Sequence, residues 1–424
     1  MSQEGTDQGT LRSLGRPPMY QDLLPSGGNL NTAQLNPVIN GTEMDAKVSA
    51  FCQQIFDSMP RVDQRRWAEV YLRGLLFLEG RKTVRKMAEH LLCLPVNQSL
   101  QQFINQSPWD WVPIRAQLAR RRSASSLSRA WVVSRATIPK RGCHSVGVVQ
   151  QFVPEAGRRL NCQVGLALSL SDDRSDVPVD WRLLLSGKWA DDEDARQKAN
   201  LPDENRGLPE WAEILSMVDE TSRWGVPPAP LVADTVDPRG AVALAAALAD
   251  RGIDFVLRTD DSLRALAPDP LLAEAGTSAG SPARLGQRRP RMAADAHGAD
   301  LRTRANAFSF VSAQVHLPAR TGHQSRTVVR LVLQRGSSHC PSGGTWITNL
   351  TQRPLDEVMG LAGLANRGRD TLHQLKADYG LHDFEGRSFR GWHHHMTMVS
   401  VAWAFGQEVL SAHHALRMPA PALP

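Results

Sequence analysis

Three consecutive stretches decide the fold: Pro230-Leu231-Val232-Ala233-Asp234, then Ala241–Arg251, then Gly252-Ile253-Asp254-Phe255-Val256-Leu257. The first is a short apolar run that stops on a carboxylate, the second is rich in alanine, and the third is apolar again. Short apolar runs of this kind read as buried strands, and the alanine-rich stretch reads as a helix. Strand, helix and strand in that order form a unit of α/β type.

Upstream, Trp131–Val133, His144–Phe152 and Cys162–Leu170 are β-rich and separated by Gly, Pro and basic turns. They predict three antiparallel strands, with Asp180–Leu185 as a further extended piece. Pro209–Trp224 carries Trp211, Ile214, Leu215 and Val218 on one helical face. Downstream, Ala265–Thr303 is a loop-dominated stretch rich in Pro, Gly, Ala and Arg, and strands return at 308–317, 326–334 and 345–350. Pro354–Tyr379 and Gly391–Leu410 read as helices. Nearer the start, Val48, Phe51, Cys52, Ile55, Phe56 and Met59 recur at helical spacing up to Pro60, and similar patterns follow through 65–79, 83–93, 100–104 and 109–118. The expected division is a flexible leader over 1–44, an all-helical module over 45–125 that is expected to contact DNA, an α/β core over 126–410 with an insertion at about 260–350, and a tail over 411–424.

The chain has 424 residues, more than a single core of roughly 250–300 residues accommodates. Hydrophobic residues make up 42% and charged residues 22%, which excludes wholesale disorder and a fibrous repeat. No apolar run is long enough to span a bilayer, and the polar amino terminus has no signal-like apolar region. Five scattered cysteines without a C-x-x-C pair argue against a disulfide framework or a cysteine zinc site, so the reducing cytosol is the expected compartment.

The net charge of +6 is carried mostly by arginine, with only seven lysines. Between Arg115 and Arg141 lie eight basic residues and no acidic one, whereas Asp172–Glu220 holds fourteen Asp and Glu against six Arg and Lys. The basic block attracts polyanions by counterion release.

Three strings carry more specific information: VVSRATIPKRGCHSVGV at Val132–Val148, LVAD at Leu231–Asp234, and LHQLKADYGLHDFEGRSFRGWHHH at Leu372–His395. Together with WAEVYLRGLL and NQSPWDW in the helical segment, they resemble transposases of bacterial insertion sequences in the DDE superfamily, in the group related to insertion sequences four and seven-zero-one. The resemblance extends over most of 45–410. It implies an RNase H-like α/β core with an all-helical amino-terminal module and a β-rich insertion before the last catalytic helix. It also implies three carboxylates, on two strands and a helix, converging on two Mg²⁺ ions for in-line phosphoryl transfer. Double-stranded DNA is the implied partner, with the chain itself or an active relative as a second, in a nucleoid-associated cytoplasmic setting.

Laid on the family pattern V-V-D-D-T-G-F-P-K-K-G without gaps, the two aspartates fall on Ser134 and Arg135. The V-A-D of the second site falls on Val232-Ala233-Asp234, so Asp234 is retained. In the family's catalytic helix the glutamate falls on Arg369, while Arg367 and Lys376 survive. A guanidinium where a divalent ion should sit costs on the order of several kcal/mol per charge pair at an effective dielectric of about 20. The expected result is an inactive protein with no metal cofactor, its lone Asp234 ion-paired between Arg135 and Arg369. The alternative is an active transposase holding Mg²⁺ through Asp234 and a substitute such as Glu385; Asp237, Asp370 and Asp378 also lie near the motifs. His393-His394-His395 lacks the i, i+4 spacing of helical metal pairs. The basic surface expected to meet DNA phosphates comprises Arg120, Arg121, Arg122, Lys140, Arg141, Lys376, Arg387 and Arg390.

Overall fold

A computed structural model of the chain describes residues 42–91, 97–203, 206–234, 237–259, 308–317, 328–336 and 344–417. Most of the expected leader, the loop-rich stretch at 265–303 and the end of the tail lie outside the described residues. Five helices come first: α1 (Thr42–Ile55), α2 (Val62–Phe77), α3 (Val84–Leu91), α4 (Asn97–Asn105) and α5 (Val112–Ser125). Their apolar stripes do not form a core of their own. Phe51, Tyr71, Leu75, Ile104 and Leu118 share one buried cluster with Trp131, Leu168 and Trp181 of the strands that follow.

Those strands are β1 (Ala130–Pro139), β2 (Val149–Val153), β3 (Arg158–Ser171), β4 (Asp176–Leu183), β5 (Leu231–Asp234), β6 (Phe255–Thr259), β7 (Phe308–His316), β8 (Val328–Gly336) and β9 (Gly344–Thr348). They form one sheet in the order β2-β3-β1-β5-β6-β9-β8-β7, with β4 also pairing β3. β3 pairs antiparallel with β1 and β4, while β1, β5 and β6 run parallel. The order β4-β3-β1-β5-β6 with these directions is the RNase H-like arrangement. The crossover from β5 to β6 is α9 (Pro238–Asp250), as parallel neighbours require a long connection. The meander β7-β8-β9 continues the sheet antiparallel from β6 and precedes α10 (Leu355–Asp378). The remaining helices among the described residues are α6 (Lys188–Asp191), α7 (Glu193–Lys198), α8 (Glu210–Arg223) and α11 (Phe389–Arg417).

Side chains alternate across a strand, so the sheet presents two different faces. Trp131, Val133, Leu231 and Ala233 face the main core, where α8 (Ile214, Val218), α9 (Leu244, Leu248) and α11 (Trp392, Val399) pack. Ala130, Val132, Val232 and Val256 face the other way and are covered by Leu361, Leu364 and Ala365 of α10. The expected strand at His144–Phe152 is paired only from Val149. Gly147 interrupts it with φ +71°, a left-handed backbone that favours glycine, and an added Cβ there would meet Leu183 at 2.9 Å. Among the described residues no helix is long and apolar enough to cross a membrane.

Candidate functional site

The parallel register Val133↔Ala233 places Ser134 beside Asp234 on the face that α10 covers. Asp234 closes β5 and is about a third exposed, with 31% of its side-chain surface accessible. Its register partner on β6 is Arg258, whose Nη1 lies 3.2 Å from Asp234 Oδ2. Arg369 of α10 brings its own Nη1 to 3.7 Å from the same oxygen. Two guanidinium groups therefore neutralise the Asp234 carboxylate, and in part-exposed surroundings each pair is a modest, salt-screened interaction.

Ser134 is buried, and its hydroxyl has no hydrogen-bond partner among the described residues. It lies directly under Gly368 of α10, where an added Cβ would run into Ser134 Oγ and approach Val132 Cγ1 to 3.0 Å. The missing side chain at Gly368 is what lets the helix lie this close to β1. Gly368→Ala is accordingly expected to cost about 1–3 kcal/mol through overpacking. Ser134→Ala in the same chain should recover part of that loss, because it removes the colliding, unbonded hydroxyl. Urea unfolding of the single and double variants measures this cycle; an unchanged midpoint for Gly368→Ala would refute the close contact.

Arg135 does not flank Asp234. The alternation of β1 sends it to the opposite face, where Nη1 lies 3.0 Å from Glu210 Oε2 at the start of α8 and Nη2 lies 3.5 Å from Gln151 Oε1. The place expected for Arg135 is taken by Arg258, a residue the motifs did not single out; its signal was its position on the strand next to Asp234. Burial, with Asp234 and Asp237 acting in the same direction, raises the Glu210 carboxyl above its ordinary range, and Arg135 opposes the rise. Asp237 caps α9, accepting from the backbone N–H of Arg239 at 3.0 Å and of Gly240 at 3.1 Å. Glu385 lies beside Arg81 at 3.4 Å. Asp378 neighbours Lys82, and Asp370 is exposed on α10.

These side chains do not fit a pair of divalent cations. Mg²⁺ takes an oxygen cage with negative charge, whereas Asp234 lies between two guanidinium groups and its strand neighbour Ser134 brings no charge. Among the described residues no three His, Cys, Asp or Glu side chains converge closely enough to hold a metal ion.

The basic residues divide into bound and free. Arg121 is held by Glu408 at 2.7 Å, and Arg122 by Asp172 at 2.5 Å. Lys140 donates to the Phe384 carbonyl at 2.7 Å, and burial pulls its ammonium down to about 8. Arg120, Arg141, Lys376, Arg387 and Arg390 are exposed and make no ion pair among the described residues. Arg115, part of the basic block by sequence, is fully buried against Asp180 and belongs to the core.

No curated protein matches this chain. Among solved structures it is similar to a piggyBac transposase synaptic complex with hairpin DNA, studied by cryo-electron microscopy. The identity is 10% and the TM-score 0.42, and the match covers 87% of this chain and 73% of that chain. The family profile described as DDE superfamily endonuclease matches residues 54–318, from the helical segment through β7. That is more than half of the sequence, and the chain belongs to the DDE superfamily endonuclease family.

Proposed function

We propose that this chain is a DNA-binding protein of transposase descent, from the insertion-sequence group its motifs resemble, in which the metal-dependent cleavage centre does not assemble. The observation that carries the reading is the double ion pair of Asp234 with Arg258 and Arg369, with Ser134 where a second carboxylate is needed. Phosphate binding asks only for guanidinium and ammonium groups, and Arg120, Arg141, Lys376, Arg387 and Arg390 are exposed to supply them. Arg369, 47% exposed, adds a cation beside Asp234.

The protein is therefore expected to retain duplex DNA with an affinity that falls as salt rises. Arg141→Ala and Lys376→Ala should each lower the slope of log affinity against log salt by about 1 if each side chain meets one phosphate. With Mg²⁺ or Mn²⁺ and a supercoiled plasmid carrying the DNA that flanks its own coding sequence, it should leave no nicks. Nicking that disappears in Asp234→Ala would overturn the inactive reading.

One observation favours an active enzyme: Glu210 lies close enough to Asp234 and Asp237 for their charges to interact. Glu210 is committed to Arg135 and Asp237 to the α9 amides, so that reading requires both to be released. Nicking lost in Glu210→Gln would establish it.

A further inference from the structure

Asn97–Ser107, covering α4 and the two residues after it, reads NQSLQQFINQS and contains no charged residue. Leu100, Phe103 and Ile104 bury one side of the helix, which packs on α2, α3 and α11. The other side presents Gln98, Gln101 and Gln102 at i, i+3 and i+4, with Asn105 one turn further on. The carboxamides of the three glutamines make no hydrogen bond to any described protein group.

This stripe lines one wall of a polar groove of about 1000 Å³ whose other wall includes Arg387 and Arg390. Glu385 is the only carboxylate among the described residues lining it, and Arg81 lies 3.4 Å from that carboxylate. A face that serves only solvation ordinarily carries charge, as neighbouring α3 does with Arg85, Lys86 and Glu89. Carboxamides instead set a donor and an acceptor side by side, matching the N7 and N6 edge of adenine, and a guanidinium matches O6 and N7 of guanine.

We propose that α4 is a recognition helix: Gln98, Gln101 and Gln102, with Arg387 and Arg390 beside them, read base edges in the major groove of duplex DNA. The proposal rests on the DNA-binding reading above and adds sequence preference to it.

The test is selection of duplexes from a random-sequence pool by the full chain, compared with a Gln98→Ala, Gln101→Ala, Gln102→Ala variant. Alanine at exposed helix positions keeps the helix, and an unchanged melting temperature verifies the fold. The unaltered chain should enrich a motif. The variant should bind a scrambled duplex with unchanged affinity and salt dependence, while its preference for the motif falls by about tenfold or more. A variant that keeps the motif and its preference overturns the proposal, as does an unaltered chain that binds the pool without enriching any sequence. Failure of the unaltered chain to retain any duplex at all would instead bring down the DNA-binding reading, and the recognition helix with it.

Discussion

Arg115→Met is expected to cost about 3–5 kcal/mol of unfolding free energy, because it leaves polar and charged partners buried without their counter-group. Arg115 and Asp180 each keep 1% of their side-chain surface exposed and meet at 2.8 Å. The same guanidinium donates to Thr397 Oγ1 at 2.8 Å, to the Trp181 carbonyl at 3.0 Å, and to Nδ1 and the carbonyl of His393 at 3.1 and 3.2 Å. It thus ties α5 to β4 and α11. Arg182, 2.9 Å from the other Asp180 oxygen, is the one charge that would remain for Asp180 and holds the loss toward the lower end of that range. Asp180→Asn combined with Arg115→Met should cost less than the sum of the two single changes, since the double variant strands no full charge. Urea unfolding followed by tryptophan fluorescence and circular dichroism reads all three values. A single Arg115→Met variant within about 1 kcal/mol of the parent, the range of an exposed ion pair, would show that the guanidinium is not the tie described.

A second large effect is acid destabilisation between pH 6.5 and about 4, with its source in α11. His393 accepts from the Arg115 guanidinium at Nδ1, which that nitrogen can do only while unprotonated. His395 meets the Tyr71 hydroxyl at 2.8 Å through Nδ1 and the Gly380 carbonyl at 3.0 Å through Nε2, which is the one-acceptor, one-donor pattern of a neutral ring. Burial, reinforced by Arg115, lowers His393 well below its ordinary range; burial, reinforced by Lys140, brings His395 down to about 4. His394 faces two carbonyls, of Ile104 and Trp109, that favour its charged form, yet burial outweighs them and holds it at about 3. The unfolded chain takes up these protons near pH 6.5 and the folded chain does not until the pH approaches 4 or less. The unfolded state therefore binds more protons across that window. The histidine contribution is complete above pH 6.5 and is lost as the pH falls through it.

With the three histidines of α11 the slope is about 4 kcal/mol per pH unit in the middle of the window. Asp176, Glu210 and Glu213 act in the opposite sense, because burial raises their carboxyl groups and the folded state takes those protons first. They flatten the lower end of the curve. Urea midpoints at pH 7.5, 6, 5 and 4.5 give the slope directly; a stability unchanged from pH 7 to pH 5 would mean that the rings of His393 and His395 are already charged in the folded protein.

Much of the architecture was legible in the chain. The unit from Leu231 to Leu257 appears as β5, α9 and β6, and Cys162–Leu170 lies within β3, because a buried strand must be a short apolar run whatever it packs against. The boundary at His144–Phe152 was not legible: the β-rich composition continues through Gly147, and only the turn beside Leu183 shows where pairing begins. The burial of Arg115 was not legible in the chain for a related reason. Charge suggests exposure, and its partners Asp180, Thr397 and His393 lie far away in the sequence.

The sequence by itself determined the α/β order of elements and the charge at each aligned position: an aspartate at 234, an uncharged serine at 134 and arginines at 135 and 369. These are properties of residue type and local periodicity, which survive without a partner. Only the tertiary structure decided which charges meet. The alternation of β1 turned Arg135 away toward Glu210, strand pairing set Arg258 against Asp234, and the close seat of Gly368 on Ser134 brought Arg369 to the same carboxylate. Ion pairs depend on distance and dielectric, and both are fixed by how strands and helices pack rather than by their order along the chain.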